Sequence, residues 1–206
     1  VSGPLDDRDL VALLLSGYAE GIFPMAESRD GSVFWVRPQR RGVIPLKQFH
    51  VPRRLAKTMR RGVFEIRVNS AFDTVVRACA EREETWISPT LQQWYHKLHV
   101  AGHAHSVEAW HDDGLAGGLF GVTLGGLFAG ESMFTRVRDA SKVALAALVA
   151  RLRQRGFVLL DCQFYTQHLG QFGAVEIDDD AYRRQLRTAL QHDAHFDDAS
   201  ALEGCG

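Results

Sequence analysis

The sequence predicts an α+β fold, a sheet covered by helices, on three observations. From His105 onward three apolar runs, Ser106 to Trp110, Leu115 to Thr123 and Leu127 to Phe134, follow one another across Asp113-Gly114 and Gly125-Gly126, whose glycines suit tight antiparallel turns. The period then becomes helical. Ser141 to Arg155 places Val143, Ala144, Ala147, Leu148 and Leu152 on one face and stops before Gly156. Phe157 to Phe164 is apolar enough for a central strand, and residues 181–190 close the fold as a helix with Tyr182, Leu186 and Leu190 inward.

The upstream elements follow from local signals. Asp6 to Glu20 reads as a helix that Asp6 can cap, with Leu10, Ala12, Leu13 and Leu14 as its apolar stripe and Gly17 weakening its last turns. Gly21 to Pro24 breaks the pattern. Val33 to Val36 and Gly42 to Leu46 are short strands separated by a polar turn from Arg37 to Arg41. Val51 to Arg61 reads as a short helix, with Pro52 near its start and Gly62 just past its end. Phe64 to Val68 alternates apolar and charged residues as a half-buried strand does. Asn69 or Ser70 is expected to cap a helix with Phe72, Val75, Val76 and Cys79 inside. Ser88-Pro89 opens the next, with Leu91, Trp94, Tyr95 and Leu98 inside and Gly102 at its end. The tail after Gln191 is expected to be loosely held.

Composition excludes several classes. Hydrophobic residues make up 46% of the 206 and charged residues 24%, which supports a packed core and argues against disorder. No stretch approaches the roughly 20 apolar residues that a membrane helix needs, so a soluble protein of the cell interior is expected. Cys79, Cys162 and Cys205 form no close-spaced pair, which points to neither a disulfide framework nor a structural zinc site. His96, His99, His103 and His105 cluster without an HExxH pattern or a carboxylate at ligand spacing, so no metal is expected.

Charge is unevenly spread. Nine of the 24 Lys and Arg residues lie between Arg37 and Arg61 with no Asp or Glu among them, leaving 15 basic against 25 acidic residues elsewhere. Along the helix from Val51 to Arg61, a 100° step puts Arg53, Lys57, Arg60 and Arg61 on one face, while Leu55 and Met59 lie on another that can dock on the body. On charge alone, a solvated basic helix and a surface for RNA, DNA or membrane are equally open.

Two carboxylates, Glu131 and Asp161, sit inside apolar strand sequence, where burial is costly unless partners satisfy them. Gln163 follows Asp161 by two, so both side chains are expected on the same face, a carboxylate and an amide able to hold an amine or ester. The alternative is structural: strand ends whose carboxylates accept backbone hydrogen bonds. Gly117-Gly118, Gly121 and Gly125-Gly126 match no phosphate-loop spacing.

Six motifs in order carry a resemblance. They are Gly21-Ile22-Phe23-Pro24, Thr85-Trp86-Ile87-Ser88, the segment from Leu98 to Glu108, Gly130-Glu131-Ser132-Met133-Phe134, Asp139-Ala140-Ser141-Lys142 and Leu160-Asp161-Cys162-Gln163. Together they resemble the bacterial leucyl/phenylalanyl-tRNA–protein transferase family over roughly residues 10 to 190. The resemblance implies a small N-terminal domain, here residues 1–62 with the basic helix. A GCN5-related N-acetyltransferase-like catalytic domain, here residues 63–206, would follow. It implies a cytoplasmic, monomeric enzyme without cofactor that moves Leu or Phe, and less well Met, from Leu-tRNA or Phe-tRNA to proteins with N-terminal Lys or Arg, marking them for N-degron degradation.

Residue by residue, the resemblance assigns Asp161 and Gln163 as the catalytic carboxylate and amide and Glu131 as the pocket glutamate. Trp86, Leu119, Phe128 and Met133 would form the aminoacyl pocket, and Arg53, Lys57, Arg60 and Arg61 the tRNA-facing surface. Met25 stands where the family often has a Trp that stacks on the terminal adenine, and the family's usual Gly-Gly-Asp-Leu lead-in is missing. The implied reaction is ester aminolysis, which needs no ATP. Asp161 either takes the amine proton through Gln163 or holds the amide in place, the ribose hydroxyl can shuttle the proton itself, and Glu131 suits binding of a substrate ammonium. An acyl-CoA transferase would be expected to show a Q/RxxGxG/A loop, but Arg136 to Lys142 has no glycine. A noncatalytic RNA-binding module would explain the basic helix but not the embedded carboxylates.

Overall fold

The computed structural model describes residues 6–112 and 114–197, so Asp113 of the expected Asp113-Gly114 turn and Cys205 lie outside the described residues. Helix α1 (Asp7–Ala19) starts where the Asp6 carboxylate accepts from the Asp9 amide at 2.8 Å, and it buries Leu10, Leu14 and Tyr18. The expected break after it is short. Gly21, at φ 83°, turns the chain, and β1 (Phe23–Ala26) then pairs antiparallel with β2 (Val33–Val36) as a separate two-stranded ribbon.

Strand β3 (Arg40–Ile44) begins before the expected turn has ended, so Arg41 is a strand residue and only 2% exposed. Helix α2 (Arg53–Arg60) follows Pro52 and ends before Gly62, at φ 61°. Its Leu55 is buried, but Met59 stays 38% exposed because the helix rests on the body along a narrow line. After the edge strand β4 (Glu65–Val68) comes α3 (Phe72–Ala80), which neither Asn69 nor Ser70 caps; Ala71 holds that position. Both side chains are drawn elsewhere. The Asn69 carbonyl accepts from the Ser106 amide at 2.9 Å, and the Ser70 hydroxyl donates to the fully buried Glu108 carboxylate. Ser88 does cap α4 (Pro89–Val100) by accepting from the Leu91 amide at 3.3 Å.

The meander forms as expected, as β5 (Ala104–His111), β6 (Gly114–Leu124) and β7 (Leu127–Thr135). Then come α5 (Ala140–Gln154), β8 (Leu159–Gln163), the short α6 (Gln167–Gly170), β9 (Val175–Asp178) and α7 (Asp179–Ala189). The seven-stranded sheet has the order β4-β5-β6-β7-β8-β3-β9, and β8 is indeed central. Only the β7–β8 pair is parallel; its other neighbours are antiparallel. Because β3 is inserted between β8 and β9, the segment 1–62 divides between the ribbon with α1 and the large sheet.

Two apolar layers hold the sheet. One gathers Leu14 and Tyr18 of α1, Val75 of α3, Tyr95 of α4 and Tyr182 of α7; the other gathers Leu145 and Leu148 of α5 with Leu55 of α2. The second layer also takes Phe196, 3% exposed, whose ring lies 4.4 Å from His105 and 5.4 Å from Phe128. The tail is therefore docked as far as this residue, because an aromatic anchor fills the gap beside β5 and β7.

Candidate active site

The site is built where the parallel pair opens. Strands β7 and β8 pair up to Ala129↔Asp161, and both chains continue past that point. On its other side β7 shifts register between Phe120↔Ser132 and Gly121↔Gly130, which leaves Glu131 without a partner as a β-bulge. Gly121 permits it, since a Cβ there would overlap the Ala129 carbonyl and the Phe128 ring. The extra residue turns its carboxylate inward.

Glu131 is 6% exposed and accepts three hydrogen bonds. Tyr18 donates to Oε1 at 2.7 Å, while Tyr95 and the Gln163 Nε2 group both donate to Oε2 at 2.9 Å. Burial pushes its pKa up to about 7 although the three hydrogen bonds work the other way. The group can thus exchange a proton near neutrality.

Asp161 is wholly buried and more tightly held. Arg41 donates through Nε at 2.9 Å to Oδ1 and through Nη2 at 2.6 Å to Oδ2; Tyr182 donates to Oδ2 at 2.8 Å and the Gln163 amide to Oδ1 at 2.7 Å. Burial works against the Arg41 charge, yet the adjacent Asp161 more than offsets it and holds the guanidinium above its ordinary range. Arg41 also donates to the Gly21 carbonyl at 3.0 Å and lies over the rings of Phe23 and Tyr182 at 4.7 and 4.4 Å.

Gln163 joins the two carboxylates through different groups. At φ 62° it leaves the extended conformation, so its backbone amide meets Asp161 while its side chain reaches Glu131. The expected alignment of the Asp161 and Gln163 side chains is replaced by this bridge. No group donates to Gln163 Oε1 among the described residues.

A cavity of about 370 Å³ opens beside this network, and Trp86, Leu119, Met133, Glu131 and Asp161 line it. Phe128 does not; wholly buried, it packs against Phe196 instead. Met25 stands opposite Phe34 in the ribbon and also lies off the cavity wall, although the neighbouring Ala26 amide donates to the Trp86 carbonyl at 3.2 Å. Cys162 is on the wall, but burial, with Asp161 beside it, pushes its thiol up to about 12 and keeps it protonated. Among the described residues no group of three or more His, Cys, Asp or Glu could hold a metal ion.

Sequence reasoning missed Arg41, Tyr18, Arg82 and His168. Arg41 was counted with the surface charge, and its one signal was its place at the head of an apolar strand. Tyr95 and Tyr182 were expected inward as core, without their hydroxyls being given a task. Arg82 lines the cavity from the loop after α3 and His168 from the four-residue α6, both too short to show a period.

The basic helix stands apart from this centre. Arg53, Lys57, Arg60 and Arg61 are all exposed, and among the described residues none has an acidic partner. No described helix is long and apolar enough to cross a membrane.

Comparison with known proteins gives a consistent result. Residues 43–187 match the family described as leucyl/phenylalanyl-tRNA protein transferase, and residues 9–39 match the N-terminal domain of the same family. A leucyl/phenylalanyl-tRNA–protein transferase of Phenylobacterium zucineum is 58% identical over 196 residues, covering 93% of this chain and 87% of that protein. The protein of the same name from Ruegeria pomeroyi is 56% identical over 185 residues, covering 89% of this chain and 88% of the other. Among solved structures, that of L-PGS from Bacillus licheniformis aligns with TM-score 0.42 and 9% identity over 72% of this chain and 56% of the other, a likeness too shallow to carry an argument.

Proposed function

The chain belongs to the leucyl/phenylalanyl-tRNA–protein transferase family, an enzyme family of aminoacyl transfer from tRNA to proteins, and from that premise we propose that it moves Leu or Phe, and less well Met, onto proteins with N-terminal Lys or Arg, marking them for N-degron degradation. The observation that carries this reading is the cavity walled by Trp86, Leu119 and Met133 that ends on Glu131 and Asp161. Its apolar wall suits a Leu or Phe side chain, and its polar end suits the reacting ester and amine. The GCN5-related architecture implied by the sequence resemblance is compatible with the mixed sheet.

In this reading the acceptor's α-amine attacks the ester carbonyl, the carbonyl–ribose bond breaks, and the proton lost by the amine ends on the leaving ribose oxygen. Asp161 is not the proton acceptor. Four donor groups already occupy it, so its part is to fix Arg41, Tyr182 and the Gln163 backbone. Gln163, which is not on the cavity wall, orients Glu131 through its Nε2 group, and Glu131, with its pKa near 7, faces the substrate ammonium. The exposed face of α2 supplies a surface for tRNA phosphates.

Labelled Leu-tRNA, an Arg-initiated peptide and the protein, without ATP or CoA, test the proposal. Label is expected in that peptide and not in an Ala-initiated one. Intact Leu-tRNA with no labelled peptide would overturn it.

A further inference from the structure

The segment after α7 is fixed by one side chain. Phe196, 3% exposed, stacks on the His105 ring of β5 at 4.4 Å, meets Phe157 edge-on at 6.2 Å and lies 5.0 Å from the Arg151 guanidinium of α5. Its carbonyl accepts from Arg151 Nε at 2.8 Å, and the carboxylate of the next residue, Asp197, accepts from Asn69 Nδ2 at 2.9 Å. Ring and backbone are both held.

Another ring in contact with Phe196 leads to the site. Phe128 of β7 is wholly buried, with its ring 5.4 Å from that of Phe196 and tilted by 33°. It also lies over Gly121 of β6, where an added Cβ would overlap it. The strand blocks movement toward β6, and Phe196 closes off movement toward the tail. Phe128 stands beside Leu160 in the parallel pairing of β7 with β8, and it shares its apolar layer with Leu119, Leu145 and Leu148. Those four leucines line the 370 Å³ cavity. Phe128 is thus one side chain behind the cavity wall, and Phe196 is behind Phe128.

We propose that Phe196 is a positioning residue that sets the depth of the aminoacyl cavity through Phe128, and so tunes the choice between Leu and Phe donors. This depth matters only under the proposed function, in which the cavity holds the aminoacyl side chain. With Phe196 in place Phe128 cannot recede, and the wall made by Leu119 and Leu160 keeps its position. Without it, Phe128 moves into the vacated space, the wall follows in part and the cavity deepens. A Phe donor then gains room, whereas a Leu donor loses contacts with the wall. A purely structural anchor acts otherwise. Its loss would lower the fraction of folded protein, which slows both donors equally and leaves their ratio alone.

Transfer from Leu-tRNA and from Phe-tRNA to one Arg-initiated peptide, measured with the full chain, gives the ratio of the two kcat/KM values. Phe196→Ala should move this ratio toward Phe by about fivefold or more, the order expected when an apolar pocket changes by roughly one methylene. Phe196→Met, which keeps most of the volume, should stay within about twofold of the wild type. Phe128→Leu should shift the ratio in the same direction, and adding Phe196→Ala to it should shift it no further, since the two residues act in series. Should Phe196→Ala fail to fold, Phe196→Val and Phe196→Leu carry the same comparison, with shifts graded by side-chain size. An unchanged ratio in the folded variants, or a shift that simply adds to that of Phe128→Leu, would overturn the proposal.

Binding of leucyl-adenosine and phenylalanyl-adenosine with 3′-amide links is measured alongside, with wild type and variants. If the wild type transfers neither donor the proposed function falls, and a change in the binding ratio of the two probes still decides the role of Phe196. Transfer by the wild type with both ratios unchanged in the variants does the reverse: the function stands and the role of Phe196 falls.

Discussion

Arg41 and Asp161, 120 residues apart, close into a buried ion pair with Nη2 and Oδ2 2.6 Å apart and side chains 2% and 0% exposed. Neither charge reaches water, so each depends on the other. Coulomb attraction and the added bonds from Tyr182 and the Gln163 amide offset a desolvation cost of several kcal/mol per ion. The pair thereby ties β3 to β8 beneath the cavity and holds Gln163 in its left-handed conformation.

Removing one partner is expected to cost more than removing both. Arg41→Met or Asp161→Asn should each lower the free energy of unfolding by about 3 to 5 kcal/mol, whereas Arg41→Met with Asp161→Leu should recover much of that loss. All three should transfer Leu at least roughly 10²-fold more slowly than the wild type, because Gln163 loses its anchor. Urea unfolding and kcat at saturating substrates are the measurements. Near-wild-type stability in both single variants would mean that water reaches the pair.

Glu131 gives stability a pH dependence whose sign can be worked out. Its ordinary value is 4.5 and burial pushes the folded value up to about 7. Below pH 4.5 both folded and unfolded chains hold the proton; between the two values only the folded chain does; above pH 7 neither does. Stability from this residue is thus fully present at low pH and falls as pH rises toward 7, by about 3 kcal/mol at most. Glu131→Gln keeps the neutral shape and lacks the slope. Relative to the wild type it should gain stability between pH 4.5 and 8, measured by urea unfolding at several pH values. Parallel curves for the two proteins would place the Glu131 titration elsewhere.

Helices and central strands were legible because their signals are local. Ser88 ahead of Pro89, Gly156 after a 3.6-residue stripe and the glycines between β6 and β7 each act within a few residues. The features that make the site are not local. Whether Arg41 belongs to a basic surface or to a buried pair depends on Asp161, far along the chain, and the inward turn of Glu131 depends on a bulge set by Gly121 in the neighbouring strand. Ser70 was open to misreading for the same reason, since a hydroxyl just ahead of a helix is a good cap until Glu108 competes for it. Phe196 shows the reverse case, a single aromatic in a polar tail whose docking no period announces.

The basic helix offers the cleanest separation of surface chemistry from folding. Leu55, 4% exposed, fixes α2 to the body, whereas Lys57 and Arg60 point to solvent without acidic partners among the described residues. If these two side chains neutralise tRNA phosphates, each releases condensed counterions on binding, so Lys57→Ala with Arg60→Ala should flatten the slope of log affinity against log salt by roughly one phosphate contact per side chain. KM for Leu-tRNA should rise while KM for the peptide and the melting temperature hold. Leu55→Ala should behave differently. Loss of its buried side chain should cost about 2 to 4 kcal/mol, and any loss of tRNA affinity should follow from loosening of the helix rather than from charge. An unchanged salt slope in the folded double variant would show that α2 is a solvated face and that the tRNA contacts lie elsewhere.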